Sequence, residues 1–510
     1  MAFPAELHRA VSATLAANRI GRPVFVRYLS FGSSPSLGLD SVAPVLAEWF
    51  GQPIECRFMT ESAETGQISF SLKTRDGTLA LVTFARTSPA VAGVDLTVLG
   101  TRGAIYHPVE LPALDDSDET SPTPASKVPR YGVLLVGGGR THQEDYARAF
   151  AADSRARLVA VTDEADIDAA RRGWNEQLAQ SLGVPYLHDL DAALRQPGVS
   201  IASVCVPPER RGRVALLCAL AGKHLYLDKS LAPRREDARA IVAAVEKTGV
   251  RSHMFSFIST SWARRAKELL DSGALGKLVS IHADAFFAKG HAGTVQNPTV
   301  RREEYPPQHH QLVEAKRELD NVGVYPITLI RWLTGRAFAT VHTSTANFFF
   351  AEHERHNVED FGMLAGTLTN GLPVTIAAGR TGWLSHPAGG VNRLVLVGSE
   401  RTVTIDANRP RLEIYASEPP WTPPTAHPGD PMAFWTSTQQ ESGLRPKQTW
   451  VPVSRFASDA SYFLDRLDAG CDSELSAVEA AAATDVLLAA YESAARGKLI
   501  TLPTAPSANS

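Results

Sequence analysis

Cysteine is scarce in this chain: Cys56, Cys205, Cys218 and Cys471 are the only four among 510 residues, and none forms a CxxC pair. That scarcity excludes a disulfide framework and a zinc knuckle, and it suits a reducing compartment. Long apolar runs are missing too. No stretch approaches the about 18 consecutive apolar residues of a membrane span, and the opening MAFPAELHRAVSATLAANRI has no apolar core with a cleavage pattern. The expectation is a cytoplasmic protein. Charge of one sign is also lacking. Lys and Arg number 51 against 54 Asp and Glu, for a formal net charge of −3, which excludes nucleic acid and an acidic membrane surface as partners.

What is present points to several domains. With 44% hydrophobic residues, 510 residues exceed what one core supports, so two or three domains are expected. Residues 113–129, ALDDSDETSPTPASKVP, form a linker too polar and Pro-rich to bury itself. Beyond it, YGVLLVGGGRTHQEDYARAF opens an alternation of apolar strands and helices over 130–255, the pattern of βαβ units on a parallel sheet. From 256 to 503 strands dominate, with TNGLP as a hairpin turn, a Pro- and Trp-rich insert at 417–435 as a surface loop, and two closing helices. Residues 504–510 form a tail. The expected fold is an α/β Rossmann dinucleotide-binding domain plus an α+β domain with a large, mostly antiparallel open sheet.

The head, 1–112, is an additional α+β module and matches part of that sheet domain. RDGTLALVTFARTS lies over TNGLPVTIAAGRTG, GRPVFV over GKLVSI, and LDSVAP over LDNVGVYP less two residues; Arg86 falls on Arg380 and Gly100 on Gly398. The head therefore reads as a reduced internal copy of the sheet domain. Two unrelated hairpins with the same turn chemistry are the plainer alternative.

The glycine turn holds Gly137 and Gly139 at the GxG positions, followed by Arg140, Thr141 and then His142 where a third glycine is usual. Glycines there permit a tight turn and close approach of a pyrophosphate to a helix N-terminus. Asp163 ends the next strand, where a carboxylate bonds an adenine-ribose diol; this favours NAD, while Arg140, Arg171 and Arg172 leave NADP open.

The order of segments from this turn through VAVTDEAD, VCVPP, AGKHLYLDKSLA, AKELLDSGALGKLVSI, LDNVGVYPI and AYESAARGKLITLP resembles the Gfo/Idh/MocA family. These are NAD(P)-dependent oxidoreductases, most acting on sugars, polyols and similar hydroxyl or carbonyl compounds. The resemblance covers roughly 130–503 and implies cofactor contacts by Pro207, Pro208 and Asp228, with Lys229 as catalytic lysine beside nicotinamide and substrate. The physical case for Lys229 is independent of this. Oxidising an alcohol needs a group to take its proton, and a lysine at a strand's carboxyl end is well placed for that. The family's Asp and its partner four residues on fall at Asn321 and Tyr325, one face of a helix. Tyr325 can exchange a proton, whereas Asn321 can only orient substrate. His310 is expected as a substrate contact. Lys316 and Arg317 either meet an anionic substrate or sit in solvent, and no metal site is expected at the adjacent His309 and His310.

Three departures weigh against turnover: His142 stands in the glycine turn, Ser230 replaces the usual proline after the lysine, and Asn321 replaces the Asp. Asp320 and Asn321 also read as the N-cap of helix VGVYPITLIRWLTG, ended by Gly335. The function expected is hydride transfer between nicotinamide and a sugar-like compound, with Lys229 and Tyr325 handling the proton. The alternative is a dinucleotide-binding member without turnover, acting as a regulator or structural partner. The head supplies a further expectation: either a homo-oligomer, or a monomer in which the head covers the open sheet face as an intramolecular pseudo-dimer.

Overall fold

The computed structural model of the chain describes residues 3–32, 39–62, 66–87, 93–107, 129–138, 142–288, 295, 298–310, 315–381, 390–406, 411–416, 447–450 and 455–503. Gly139, Arg140, Thr141, the 417–435 insert, the 504–510 tail and all but the last residue of the 113–129 linker lie outside them.

The head runs α1 (Ala5–Ala16), β1 (Pro23–Gly32), α2 (Leu39–Phe50), β2 (Ile54–Glu61), β3 (Ile68–Thr74), β4 (Leu79–Arg86), β5 (Gly93–Gly100) and β6 (Ala104–His107). Its sheet has the order β2-β3-β4-β1-β5-β6, with β1 parallel to β4 and every other neighbour antiparallel. β4 reads LALVTFAR and is buried on both faces until Arg86, as a strand covered from both sides must be.

The Rossmann domain follows as β7 (Tyr131–Val136), α3 (Gln143–Ala152), β8 (Ala156–Thr162), α4 (Ala169–Leu182), β9 (Tyr186–Leu187) and α5 (Leu190–Leu194). Then come β10 (Val199–Val204), α6 (Pro208–Leu220), β11 (His224–Leu227), α7 (Arg235–Thr248) and β12 (Ser252–Met254). All pairings are parallel, in the order β12-β11-β10-β7-β8-β9. The strand order reverses between β7 and β10, which opens a crevice at their carboxyl ends.

The last domain begins α8 (Ser261–Asp271), β13 (Leu278–Ala288), β14 (Thr299–Arg301), α9 (Glu318–Thr334), β15 (Phe338–Asn347) and α10 (Ala351–Arg355). It continues β16 (Phe361–Leu368), β17 (Pro373–Thr381), β18 (Gly390–Gly398), β19 (Arg401–Asp406), β20 (Arg411–Ala416), β21 (Lys447–Trp450), α11 (Arg455–Asp468), α12 (Ala477–Arg496) and β22 (Ile500–Thr501). Among the described residues no helix is long and apolar enough to cross a membrane.

Within this sheet, β15-β16-β17-β13-β18-β19 repeats the head's β2-β3-β4-β1-β5-β6, including the single parallel pair, β13 with β17. The match extends to single residues. β1 and β13 each shift register right after their first residue, Pro23 and Leu278. Gly21 and Gly276 both take left-handed φ, +70° and +67°. A Cβ on Gly100 would lie 2.1 Å from the Ile20 carbonyl, and one on Gly398 2.1 Å from that of Leu275. Pro44 and Pro326 both sit inside their helices, α2 and α9.

Each of the two sheets has one face under its own helices. In the head, α1 and α2 cover Val26, Tyr28, Val82 and Val98; in the large sheet, α9 packs on β13, β16 and β17. The remaining faces lie against each other, with Phe25, Leu79, Leu81 and Leu99 packed on Phe286, Phe361, Met363 and Ala365. Phe348, Phe349 and Phe350 join this core. Their backbone N–H groups donate to the Asp360 carboxylate at 2.9, 2.8 and 2.8 Å. Burial pushes that carboxyl up to about 6 although the three bonds oppose the shift.

Gly398→Ala should therefore cost about 2–3 kcal/mol of unfolding free energy, read from urea titration. Gly100→Ala should cost somewhat less within the head, because its Cβ would meet the Ile20 carbonyl but nothing equivalent to the Arg401 carbonyl that lies 2.7 Å from a Cβ on Gly398.

Candidate active site

The crevice begins at Gly137, whose φ of +77° suits glycine. A Cβ there would lie 2.8 Å from Val206 Cγ1 and 3.2 Å from Val206 N, so the two loops at the switch point touch backbone to backbone. His142 precedes the first turn of α3, the helix of the first βαβ unit, and a helix N-terminus at that place suits a pyrophosphate. On α6, Pro207 is the N-cap and Pro208 the first helical residue. These features fit a dinucleotide.

Asp163 is placed differently from expectation. Its carboxylate is fully buried and accepts from Arg171 Nε and Nη2, both at 2.8 Å, from Asn175 Nδ2 at 2.9 Å and from the Glu164 N–H at 2.9 Å. Four donors fill both oxygens, so a free carboxylate for the ribose is a reading the structure corrects. Its work is internal: Asn175 also accepts the Gly138 N–H at 2.6 Å and so pins the glycine turn to the end of β8. Arg171 and Asn175 are four apart on α4, a spacing that was visible in the sequence.

Asp228 is likewise held in the wall, taking Tyr146 Oη at 2.7 Å, His142 Nδ1 at 3.0 Å and Arg211 Nη2 at 2.9 Å. Burial works to raise this carboxyl, but Arg211, His142 and Lys229 together hold it well below the usual carboxylate range. The His142 ring also meets Tyr146 Oη at 3.1 Å, which directs it onto this cluster.

Lys229 follows at the carboxyl end of β11 and is joined to Ser230 by a cis peptide bond. Only 8% exposed, its Nζ donates to the backbone O and to Oδ1 of Asn321, both at 2.5 Å. Asn321 Nδ2 in turn donates to Glu318 Oε2 at 2.7 Å. Glu318 also accepts from Arg380 Nε at 3.1 Å and lies 3.3 Å from His353 Nε2. Burial pushes the Lys229 ammonium down to about 7; Asp228 and Glu318 oppose that shift, while Lys316 and Arg380 add to it. Glu318 is held down at about 2: burial opposes this, but Arg380, His353 and Asn321 outweigh it.

Tyr325, one turn further along α9, lies beneath the lysine with Nζ 5.1 Å from the ring centroid. Phe257 stacks on the ring at 4.5 Å and 18°, and Phe255 and Phe287 also meet it, at 6.3 and 6.1 Å. The lysine thus meets the ring face. Ser230 Oγ donates to Asp320 at 2.9 and 2.8 Å, a bond that a proline there would lack.

Two expectations are corrected here. α9 begins at Glu318 with Arg317 as N-cap, so Asp320 and Asn321 belong to its first turn and do not cap it. Arg317 meets no substrate: it is 2% exposed and bound to Glu303 and Glu359 at 2.9 Å each. His310, 4% exposed, stands 3.8 Å from Asp320, the carboxylate that Ser230 Oγ binds, and edge-on to Tyr491. Glu318, Arg380 and Asn175 were not foreseen. The Glu318–Asn321 spacing of three was the available signal.

Residues 131–256 match the model of the oxidoreductase family with an NAD-binding Rossmann fold, and residues 263–404 match the GFO/IDH/MocA C-terminal domain. Together they span more than half of the chain. The chain belongs to the Gfo/Idh/MocA family. A levoglucosan dehydrogenase of Pseudarthrobacter phenanthrenivorans is 27% identical over 159 residues, 29% of this chain and 39% of that protein. Inositol 2-dehydrogenase 3 of Saccharopolyspora erythraea is 28% identical over 203 residues, 39% of this chain and 53% of its own. The chain thus matches from about two fifths to about half of these relatives' lengths. A solved levoglucosan dehydrogenase, in complex with NADH and levoglucosan, superposes with a TM-score of 0.57 at 17% identity, covering 73% of this chain and 99% of that one. Its likeness is one of fold.

The geometry sets a titration. Trace acetylation of Lys229, followed by mass spectrometry against pH, should rise through a midpoint near 7. Glu318→Gln removes a carboxylate that favours the ammonium, so its midpoint should fall. Asn321→Asp places a carboxylate against Nζ and should raise the midpoint, in the wild type and in the Glu318→Gln background alike.

Proposed function

We propose that the chain is an NAD-dependent dehydrogenase of a small polyhydroxy compound, sugar-like or a cyclic polyol, with Lys229 and Tyr325 handling the proton of the reacting CH–OH group. The observation that carries this reading is Lys229 itself: a nearly buried lysine at the mouth of a dinucleotide crevice, brought down to about 7 and steered by Asn321. A structural lysine has no need of that combination.

NAD, when bound, supplies the hydride acceptor. The residues of this chain do the rest. As the free amine, Lys229 keeps both N–H groups on Asn321 and presents its lone pair to a substrate hydroxyl, whose proton it takes as the C–H bond breaks. As the ammonium it returns that proton to a carbonyl in the reverse direction. The Tyr325 ring supports the cation through its π face, and its hydroxyl is the second group offered to the substrate. Asn321 cannot exchange a proton and holds the lysine's direction. We assign a cytoplasmic setting, and read 1–112, 130–255 and 256–503 as three domains. The head serves as an internal partner for the large sheet, an intramolecular pseudo-dimer.

Fluorescence titration should show NADH binding more tightly than NADPH. In a screen of sugars and cyclic polyols, Lys229→Ala should lower kcat by at least about 100-fold while leaving NADH affinity nearly unchanged; Tyr325→Phe should cost less. Oxidation should speed up as pH rises through about 7, because the amine is the proton acceptor. NADH binding without turnover of any compound would replace this reading with that of a dinucleotide-binding regulator.

A further inference from the structure

The faces that meet between head and large sheet are equivalent faces, so their contacts can be compared position by position. β1 pairs Leu29 with Asp95 on β5, and β13 pairs Asp284 with Arg393 on β18. Counting back from the matched glycines Gly100 and Gly398 makes Asp95 the counterpart of Arg393, and Leu29 that of Asp284. Asp95 and Arg393 also touch each other, through two bonds of 2.8 Å. Two equivalent residues in mutual contact mark the pseudo-twofold axis of the pairing. On this axis the two halves carry opposite charges.

The neighbouring charges follow the same asymmetry. Arg27 donates to Asp284 at 2.6 Å and adds the Thr375 hydroxyl and the Ala283 carbonyl, also at 2.6 Å. Its counterpart on β13 is His282, whose ring bonds to Thr375 and Ser280 within its own sheet. Arg393 completes the row by reaching Asp284 at 3.2 Å. The result is an alternating chain of Arg27, Asp284, Arg393 and Asp95. Arg27, Asp284 and Asp95 are no more than 5% exposed.

We infer that these charges make the large sheet's face selective for the head of the same chain and closed to a second copy of itself. This rests on the reading of the head as an internal partner and adds its specificity. A second copy seated about the same axis would bring Arg393 against Arg393 and leave Asp284 without Arg27. Two heads would set Asp95 against Asp95. Self-pairing of the large sheet would leave each Arg393 only Asp284 of its own sheet, and either self-pairing sets like charges together on the axis, which is unfavourable; the mixed pairing alone gives each of the four an opposite charge across the interface. The duplicated module has thereby lost the self-complementarity that a symmetric interface requires.

Charge exchange in the full chain tests the complementarity. Asp95→Arg and Arg393→Asp should each lower the unfolding midpoint by at least about 5 °C, and the two together should recover more than half of the loss. A paired variant no better than the worse single variant overturns the inference. Sedimentation tests the choice of partner. Asp95→Arg, which sets a like charge against Arg393 but leaves Arg393 and Asp284 of the large sheet in place, should sediment with the same stoichiometry as the unaltered chain. A higher stoichiometry that grows with concentration in this variant overturns the exclusion of a second copy. All of these outcomes stand apart from NADH binding and turnover.

Discussion

The hydrogen bonds from Lys229 and Ser230 to Asn321 and Asp320 join the carboxyl end of a Rossmann strand to the first turn of the helix lining the sheet domain. The site depends on that joint. A lysine removed from water loses the hydration that favours its charge, and unless something accepts its protons it becomes a liability to the fold. Asn321 accepts without adding charge of its own. The lysine therefore keeps partners while its proton is held loosely. A carboxylate at the same place would hold the proton more firmly, so exchanging Asp for Asn alters how basic the lysine is and does not simply erase a function.

The wall behind the joint consists of carboxylates with no capacity to spare. Asp163 fixes the glycine turn through Asn175, and Asp228 gathers Tyr146, His142 and Arg211. Each is a buried charge balanced by several donors, an arrangement that favours one geometry over near alternatives more than it adds to stability. The crevice owes its shape to these groups.

Much of the fold was legible in the sequence. Strand and helix alternate with clear period after the linker, and TNGLP and RDGTL mark equivalent hairpins, so the Rossmann domain and the repeated sheet plan were both available from local pattern. The Lys229–Asn321–Tyr325 neighbourhood was reachable through the order of motifs. The fate of Asp163 was not: a strand-end carboxylate looks the same in sequence whether it faces a ribose or an arginine one turn into the next helix. The place of Arg317 was hidden for a similar reason, since its partners Glu303 and Glu359 come from separate elements. The bond between Arg27 and Asp284 spans 257 positions, and nothing local announces it.

Carrying the cover of the sheet on the same chain changes how that contact responds to dilution. Two separate subunits part when their concentration drops below the dissociation constant. A tethered module stays at an effective concentration on the order of millimolar whatever the amount of protein. On the proposed reading of the head as internal partner, it stays seated in a cell that makes few copies of this chain, and the sheet behind α9 keeps its backing without any encounter between molecules.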